Sequence, residues 1–492
     1  MLAAFSAEQQ VPALVTLTML VGLFQVLLGL FRWDGFLRFV SNAVLTGFMN
    51  GIAVVIVLGQ LGRLTGYSSE AGNRLTQTLD LLLHLNQVDI ATTAIGLGTI
   101  ALILVLGRTR LKQFNLVLAL LIITALTALW QPASVQLVKD ISPVPRSLPL
   151  PVLPDFSLMP QLLLGAVSVG LVGLIQGAGV GKTIPNANGQ YGKAWQDFLA
   201  QGVSNLGCGC FRGIPLGGSV SGTAINISAG AVSRWAVVLV SPMAIVSVLV
   251  FGGILEQFPL PAIAALLVVV GYQAFNVGKW HDVWVTGWAP RLIMLATFMA
   301  TLLLPIQQSI LLGVLLSILV HTYQSSLDVR VKQILPTGTA QKFQERPALA
   351  DIAPSTVTIL HIYGSVFYAS ADILHAALPS PDTADRSVVI LGLRGRDELG
   401  STFIKLLERY ASELCIRNSK LMLAGVAPNV IKQLTKTHIT DTIPLTDIFS
   451  ATPILGESMQ QAQAAAEAWR LSADQDGGCG ASQESSTRAE EA

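Results

Sequence analysis

Charged residues are scarce in this chain. Asp, Glu, Lys and Arg make up 12% of its 492 residues, whereas apolar residues make up 52%. The mean hydropathy of +0.61 excludes an ordinary water-soluble globular protein. Several long apolar segments contain almost no charged residue. About 20 apolar residues suffice for a helix to cross a bilayer. We therefore expect a polytopic α-helical membrane protein with spans at residues 11–31, 36–61, 90–106, 114–130, 161–180, 198–210, 235–255, 260–275, 292–304 and 307–320.

Patterns typical of secreted or metal-binding proteins are also missing. The cysteines have neither disulfide-framework, zinc nor redox spacing, so we expect them to be small packing residues: Cys208, Cys210, Cys415 and Cys479. The six histidines are dispersed, and no metal site or other cofactor is expected. Residues 1–10 hold no basic segment, so we expect no cleaved signal, with insertion through the spans themselves.

No Asp or Glu lies near the middle of any predicted span. A buried carboxylate is the usual intramembrane proton carrier, because its charge is costly there unless it is titrated or paired. Proton symport therefore has no obvious carrier, whereas carbonyls and hydroxyls can hold sodium. We rank uniport, exchange or sodium coupling above proton coupling.

Basic residues are distributed unequally between the two sets of loops. If the loops alternate across the membrane, one side holds Arg32, Arg38, Arg108, Arg110, Lys112, Lys182, Lys193, Arg234 and Lys279. The other side holds Arg63, Arg74, Lys139, Arg146 and Arg212. The richer side is expected to be cytoplasmic, and so is the C-terminal region.

The hydropathy pattern changes after the last span. The runs "TVTILHI", "SVVILGL" and "KLMLAGV" are typical of strands, and they alternate with amphipathic segments at 371–378, 401–414 and 428–438 that indicate helices. This order predicts a small α/β domain with βαβ crossovers. We divide the chain into a membrane domain of about eleven helical segments, a linker, the α/β domain, and a helix with a disordered tail, at residues 1–325, 326–354, 355–455 and 456–492.

The segment "QGAGVGKT", residues 176–183, lacks only the first glycine of a phosphate-binding loop. Such a loop follows a strand and cradles phosphate with backbone N–H groups. Here a long apolar run precedes it and Gln176 occupies the first glycine position. We interpret it as a glycine-rich helix end, and an enzyme acting on a nucleotide is a remote alternative.

The segment "GGSVSGTAIN", residues 217–226, interrupts the apolar pattern between two spans. Such a break is tolerated in a membrane only where the backbone lines a cavity or is covered by protein. Ser219 is a favourable N-cap residue, and a helix starting there places Ser219, Thr223 and Asn226 on one face. A helix N-terminus lined by hydroxyl and amide groups binds anions, as in broken-helix transporters. The alternative is that these small residues only allow helices to approach closely.

The segments "IPLGGSVSGTAINISAGAVSRWA" and "LRFVSNAVLTGFMNGIAVVIVLGQL" resemble the SulP anion-transporter family, and the α/β region is similar to that family's STAS domain. The resemblance implies two inverted repeats of seven helices, arranged as core and gate domains, with the anion between two half-helices. Ser219, Ser221 and Thr223 match the second half-helix, and Asn226 lies one turn further. The resemblance also implies a homodimer surrounded by membrane lipid and gives no nucleic-acid partner.

Three departures from that family matter. The span at 11–31 corresponds to the family's fourth helix, so the first three are missing, and we expect the start of the protein to lie upstream of Met1. Gly222 stands where many members have Arg, and Gln176 stands where ion-coupled members often have an acidic residue. Gln176 is then a candidate polar ligand. In the STAS-like domain Gly400 replaces the usual Asp and Ser401 keeps a hydroxyl, which is either a phosphorylation site or only the N-cap of the helix.

The sequence therefore predicts a secondary transporter in a bacterial inner membrane, for a small inorganic anion, with sulfate first and bicarbonate second. A transporter of an organic anion or nucleobase is disfavoured by the STAS-like region. The alternative function is a membrane-anchored STAS regulatory protein that no longer transports.

Overall fold

A computed structural model describes residues 5–33, 35, 40–130, 132–141, 147–183, 191–219, 222–223, 226, 230–337 and 342–472. The chain divides into two compact units, Met1–Ile318 and Leu319–Ala492. Each unit is described by itself below.

The first unit is helical. Its helices α1 to α12, followed by α13 that runs on into the second unit, are Ala7–Leu30, Asn42–Thr65, Arg74–Leu83, Ile90–Gly107, Asn115–Trp130, Val138–Ile141, Met159–Thr183, Ala194–Cys210, Trp235–Leu255, Leu260–Ala274, Val277–Thr286, Trp288–Leu303 and Ile306–Leu327. Within the described residues, eight helical stretches are long and apolar enough to cross a membrane. The prediction of an all-α polytopic membrane domain is confirmed.

Helix ends differ from the predicted spans where capping residues decide them. The span predicted at 36–61 is the helix Asn42–Thr65, because the Ser41 side chain accepts a hydrogen bond from the Val44 N–H and Gly66, at φ +74°, ends the helix. Helices α3 and α11 were not predicted. Both are ten residues long and amphipathic, so neither carries a long apolar run.

The close packing of α1 against α8 rests on glycines. Helices α1 and α8 touch where a Cβ at Gly22 would lie 2.8 Å from the Gly202 oxygen and one at Gly202 would lie 2.6 Å from the Val26 nitrogen. Small residues let membrane helices approach to backbone contact in this way. The α1–α8 pair forms the support for the site described below.

The second unit contains a six-stranded sheet. Strands β1 to β6 are Arg330–Thr337, Lys342–Pro347, Val357–Tyr363, Val388–Gly392, Lys420–Val426 and Ile448–Ser450, in the order β2-β1-β3-β4-β5-β6. The last four strands are parallel and the first two pairings are antiparallel. Helices α14 to α17 are Ala371–Ala377, Ser401–Ile416, Pro428–Lys436 and Glu457–Ser472. The three predicted strands are confirmed.

The linker predicted at 326–354 needs correction, because strands β1 and β2 lie within it. Strand β1 pairs with β3 in the register Val331 opposite Ile362, and Val329 and Val331 are buried in the core while Arg330 is exposed. Arg330 alternates with the buried Val329 and Val331, as the period of two in a strand requires, whereas Glu345 and Arg346 are both exposed on the edge strand β2. The helix predicted after residue 455 also belongs to this unit, since Ala462 and Ala466 pack against β3 to β5. The tail predicted to be disordered, 473–492, lies outside the described residues.

Candidate functional site

An extended segment, residues 213–219, leads into the break that the sequence predicted. An unpaired backbone carbonyl costs more free energy in an apolar membrane than in water, so the carbonyl groups of this segment need hydrogen-bond donors. The Thr18 hydroxyl donates to the Gly213 carbonyl at 3.0 Å, and the Cys208 thiol donates to the Ile214 carbonyl at 3.3 Å. These partners come from α1 and α8, so the segment is held by the packed helix pair.

The strongest anchor of this segment is Asn205 on α8, which is fully buried. Its Oδ1 accepts from the Leu216 N–H at 2.8 Å and its Nδ2 donates to the Leu216 carbonyl at 3.0 Å. Gln201, one helical turn earlier, donates to the same carbonyl at 3.2 Å. The side chains thereby replace the backbone partner that a continuous helix would supply.

Gln25 connects this anchor to two further helices. It is fully buried in α1, accepts from Asn205 Nδ2 at 2.8 Å and donates to the Gly170 carbonyl of α7 at 3.1 Å. The three amides, Gln25, Gln201 and Asn205, were not singled out in the sequence. The signal was available, since amide side chains inside apolar runs form interhelical hydrogen bonds.

Gly217 and Gly218 lie directly against α7. A Cβ at Gly218 would lie 2.6 Å from the Gly177 Cα, and one at Gly217 would lie 2.8 Å from Gln176 Oε1. Only glycines permit this backbone-to-backbone approach. Gln176 Oε1 therefore lies beside Gly217, two residues before Ser219.

After Ser219 the described residues 222, 223 and 226 are helical. The Ser219 Oγ accepts from the Gly222 N–H at 3.1 Å, and its carbonyl accepts from the Thr223 N–H at 3.1 Å and the Thr223 hydroxyl at 2.7 Å. The N-cap prediction for Ser219 is confirmed. The Thr223 proton is used inside the helix, so this hydroxyl must rotate before it can donate to an anion.

The other predicted site residues are placed unequally. Asn226 is helical and partly buried, and its carbonyl accepts from Ala231 N at 3.1 Å. Ser221 lies outside the described residues. The segment resembling a phosphate-binding loop, 176–183, is the end of helix α7 and follows no strand, which agrees with its interpretation as a helix end.

One acidic side chain near the site was missed. Asp197 lies in the first turn of α8, one residue before the predicted span, and is partly buried. A Cβ at Gly181 of α7 would lie 2.9 Å from Asp197 Oδ2. The carboxylate therefore contacts the same helix that carries Gln176, one turn beyond Gly177.

Ser401 lies far along the chain in the second unit. The structure makes Gly400 the N-cap of α15 and Ser401 its first helical residue, with the Gly400 carbonyl accepting from the Phe403 and Ile404 N–H groups. The alternative that Ser401 is merely the N-cap is therefore wrong. Its side chain is exposed at the helix start.

Comparison with known proteins agrees with this architecture. The sequence model of the sulfate permease family matches residues 1–297. A putative sulfate transporter, YvdB, of Bacillus subtilis is 25% identical over 428 residues, covering 85% of this chain and 78% of the relative. The bicarbonate transporter BicA of a Picosynechococcus species is 21% identical over 453 residues, covering 90% of this chain and 79% of the relative. Murine Solute Carrier 26 family member A9, an anion transporter solved in the inward-facing state, shares the fold with a TM-score of 0.77 at 18% identity, covering 94% of this chain and 77% of that one.

Proposed function

This chain belongs to the sulfate permease family and is an anion transporter rather than an enzyme; we propose that its substrate is a small inorganic oxyanion, sulfate first and bicarbonate second. Relatives named as a putative sulfate transporter and as a bicarbonate transporter support these two candidate substrates. We further propose that it acts as a homodimer in a bacterial inner membrane, with a STAS-like C-terminal domain on the cytoplasmic side.

The observation that carries the proposal is the capping of helical residues 222 and 223 by the Ser219 Oγ and carbonyl, behind an extended segment fixed by buried amides. A helix N-terminus offers N–H groups without intrahelical partners and the positive end of the helix dipole. Ser219, Thr223 and Asn226 supply polar side chains there, with Gln176 on the neighbouring helix α7, and Ser221 is included from its match to the family's motif. We propose these five residues as the anion site. Because Gly222 stands where many members have Arg, attraction depends on the dipole and on neutral donors.

The substrate site is tested in proteoliposomes with radiolabelled sulfate and bicarbonate. The double substitution Ser219→Ala with Thr223→Ala should raise KM for the transported anion by more than about tenfold, since each lost hydrogen bond to a charged ligand costs roughly 1.5–3 kcal/mol. Ser204→Ala is the matched control, because its hydroxyl donates only to Ala200 of its own helix at 2.8 Å. Unchanged flux kinetics in the double variant would refute the site.

Coupling is tested in the same vesicles. We propose sodium coupling, uniport or exchange. Asp197, near the facing ends of α7 and α8, is the carboxylate to test for a proton role. Sodium dependence that survives Asp197→Asn supports the proposal, whereas proton-driven flux that this substitution abolishes assigns the coupling to the carboxylate. A chain that shows no anion flux at all but binds a protein partner through residues 355–455 would favour the regulatory alternative.

A further inference from the structure

A polar pocket lies at one end of the helices of the first unit, apart from the Ser219 site. Its volume is about 380 Å³. It is formed by the C-terminal end of α2, the loop after it, α3, and the N-terminal ends of α4 and α10. This is the end that carries Arg63 and Arg74, which the loop charges place on the non-cytoplasmic side.

Two guanidinium groups line this pocket without a carboxylate partner. Among the residues that the structure describes, neither Arg63 nor Arg74 forms an ion pair. Arg74 donates to the neutral Gln77 Oε1 at 3.3 Å, and a Cβ at Gly59 would lie 3.6 Å from its Nε, which fixes its position against α2. The lining contains these two arginines with hydroxyl and amide side chains and no Asp or Glu among the described residues. Guanidinium groups bind planar and tetrahedral oxyanions through several parallel N–H donors.

Two carboxylates that bond to pocket-lining residues are occupied by donors other than the arginines. Asp80 accepts from the Tyr67 and Ser69 hydroxyls, and Asp89 accepts from the Thr92 N–H and hydroxyl and from Ser134. The hydrogen bond from Ser69, and to a smaller extent the one from Tyr67, lowers the pKa of Asp80. Both carboxylates therefore bond to hydroxyl groups of the pocket lining, and neither pairs with Arg63 or Arg74 among the described residues.

Arg74 also reaches a second cavity, of about 490 Å³. The walls of that cavity include Val169 and Val172 of α7 and Thr301 of α12. Helix α7 is the helix on which Gln176 faces the broken segment, one turn beyond Val172. The amide of Asn73 donates to the Leu303 carbonyl at 3.4 Å, so the start of α3 is tied to the end of α12. Arg74 therefore stands where the polar pocket meets the cavity beside α7.

We propose that the pocket between Arg63 and Arg74 is a second anion-binding site, for small oxyanions of the transported class, at the non-cytoplasmic mouth of the path. It supplies the full positive charges that the Ser219 site lacks at Gly222, and so it raises the local anion concentration before the anion moves past α7. The role of the pocket in capturing anions for transport rests on the proposed function, whereas the inference that the pocket binds anions does not depend on it.

The test measures equilibrium binding of radiolabelled sulfate, and then bicarbonate, to the full chain in lipid nanodiscs. A Ser219→Ala, Thr223→Ala protein should still bind the anion in the pocket. Adding Arg63→Gln and Arg74→Gln should weaken that binding about tenfold or more, the loss expected for hydrogen bonds to a charged group. Lys139→Gln removes a charge from the same side, outside the pocket lining, and should change nothing. Because both arginines are exposed, the single Arg74→Gln gives the same comparison if the combined variant folds poorly.

Three results would overturn the proposal. The first is that the Ser219→Ala, Thr223→Ala protein binds no anion. The second is that its anion binding is the same before and after the two arginines are replaced. The third is that Lys139→Gln weakens binding as much as the arginine substitutions do, which would indicate a general effect of surface charge. Binding in the pocket by a protein that carries no flux would instead support the inference and refute the proposed transport.

Discussion

Replacing Asn205 with alanine should loosen the segment that leads into the candidate anion site. The substitution removes three hydrogen bonds, two to the Leu216 backbone and one to Gln25 Oε1. The Leu216 carbonyl keeps Gln201 as a donor. The Leu216 N–H and Gln25 Oε1 lose the partner that Asn205 supplied.

The magnitude follows from those contacts. Interhelical hydrogen bonds in a bilayer contribute about 0.6 kcal/mol on average and up to about 1.7 kcal/mol, so three of them amount to about 2 to 5 kcal/mol. The bond to the Leu216 N–H is only partly buried, so the full penalty for a buried N–H without a partner does not apply and the expected loss stays within that range. Because the segment positions Ser219, transport should fall together with stability.

The assay compares thermal unfolding in detergent with initial anion flux at a fixed protein density. Asn205→Ala should lower the melting temperature by several degrees and reduce flux, whereas Ser204→Ala, the neighbouring residue on the outer face of α8, should leave both unchanged. A melting temperature equal to that of the unmodified chain would refute the buried amide network. Lower stability with full flux would show that the network supports the fold without positioning the site.

Two further predictions concern the close contact of Gly218 with helix α7 and the pH dependence of stability around His361. Gly218→Ala should abolish most flux, because its Cβ would lie 2.6 Å from the Gly177 Cα, whereas Gly207→Ala, with open space around it, should be tolerated; normal flux in the first variant would contradict the close packing. Burial, and then the charge of Arg396, lower the pKa of His361 in β3 below its usual value. The unfolded chain therefore binds the proton more readily, so stability is full above about pH 6.5 and is lost as the pH falls toward the folded pKa. His361→Gln should flatten this dependence in hydrogen exchange of β3 and β4, and an unchanged slope would count against it.

Local patterns in the sequence determined most of the helices and the central strands. Apolar runs of membrane length gave the spans, because lipid leaves a backbone no partner except its own helix. Alternation between β-branched and amphipathic segments gave β3 to β5 and their helices. The break at Ser219 was also predictable, since an N-cap residue after two glycines is a local signal.

Only the tertiary structure decided which residues meet. Gln25 and Asn205 are 180 positions apart and come together because glycines on α1 and α8 allow the two helices to touch. Strands β1 and β2 could not be separated from a linker, because the edge strand β2 and its charged neighbour β1 gain their order from the strands they pair with rather than from their own composition. The arginine pocket likewise depends on loops and helix ends from distant parts of the chain. Periodicity encodes the elements locally, whereas the pairing of buried polar groups is decided by packing between elements, which no single segment specifies.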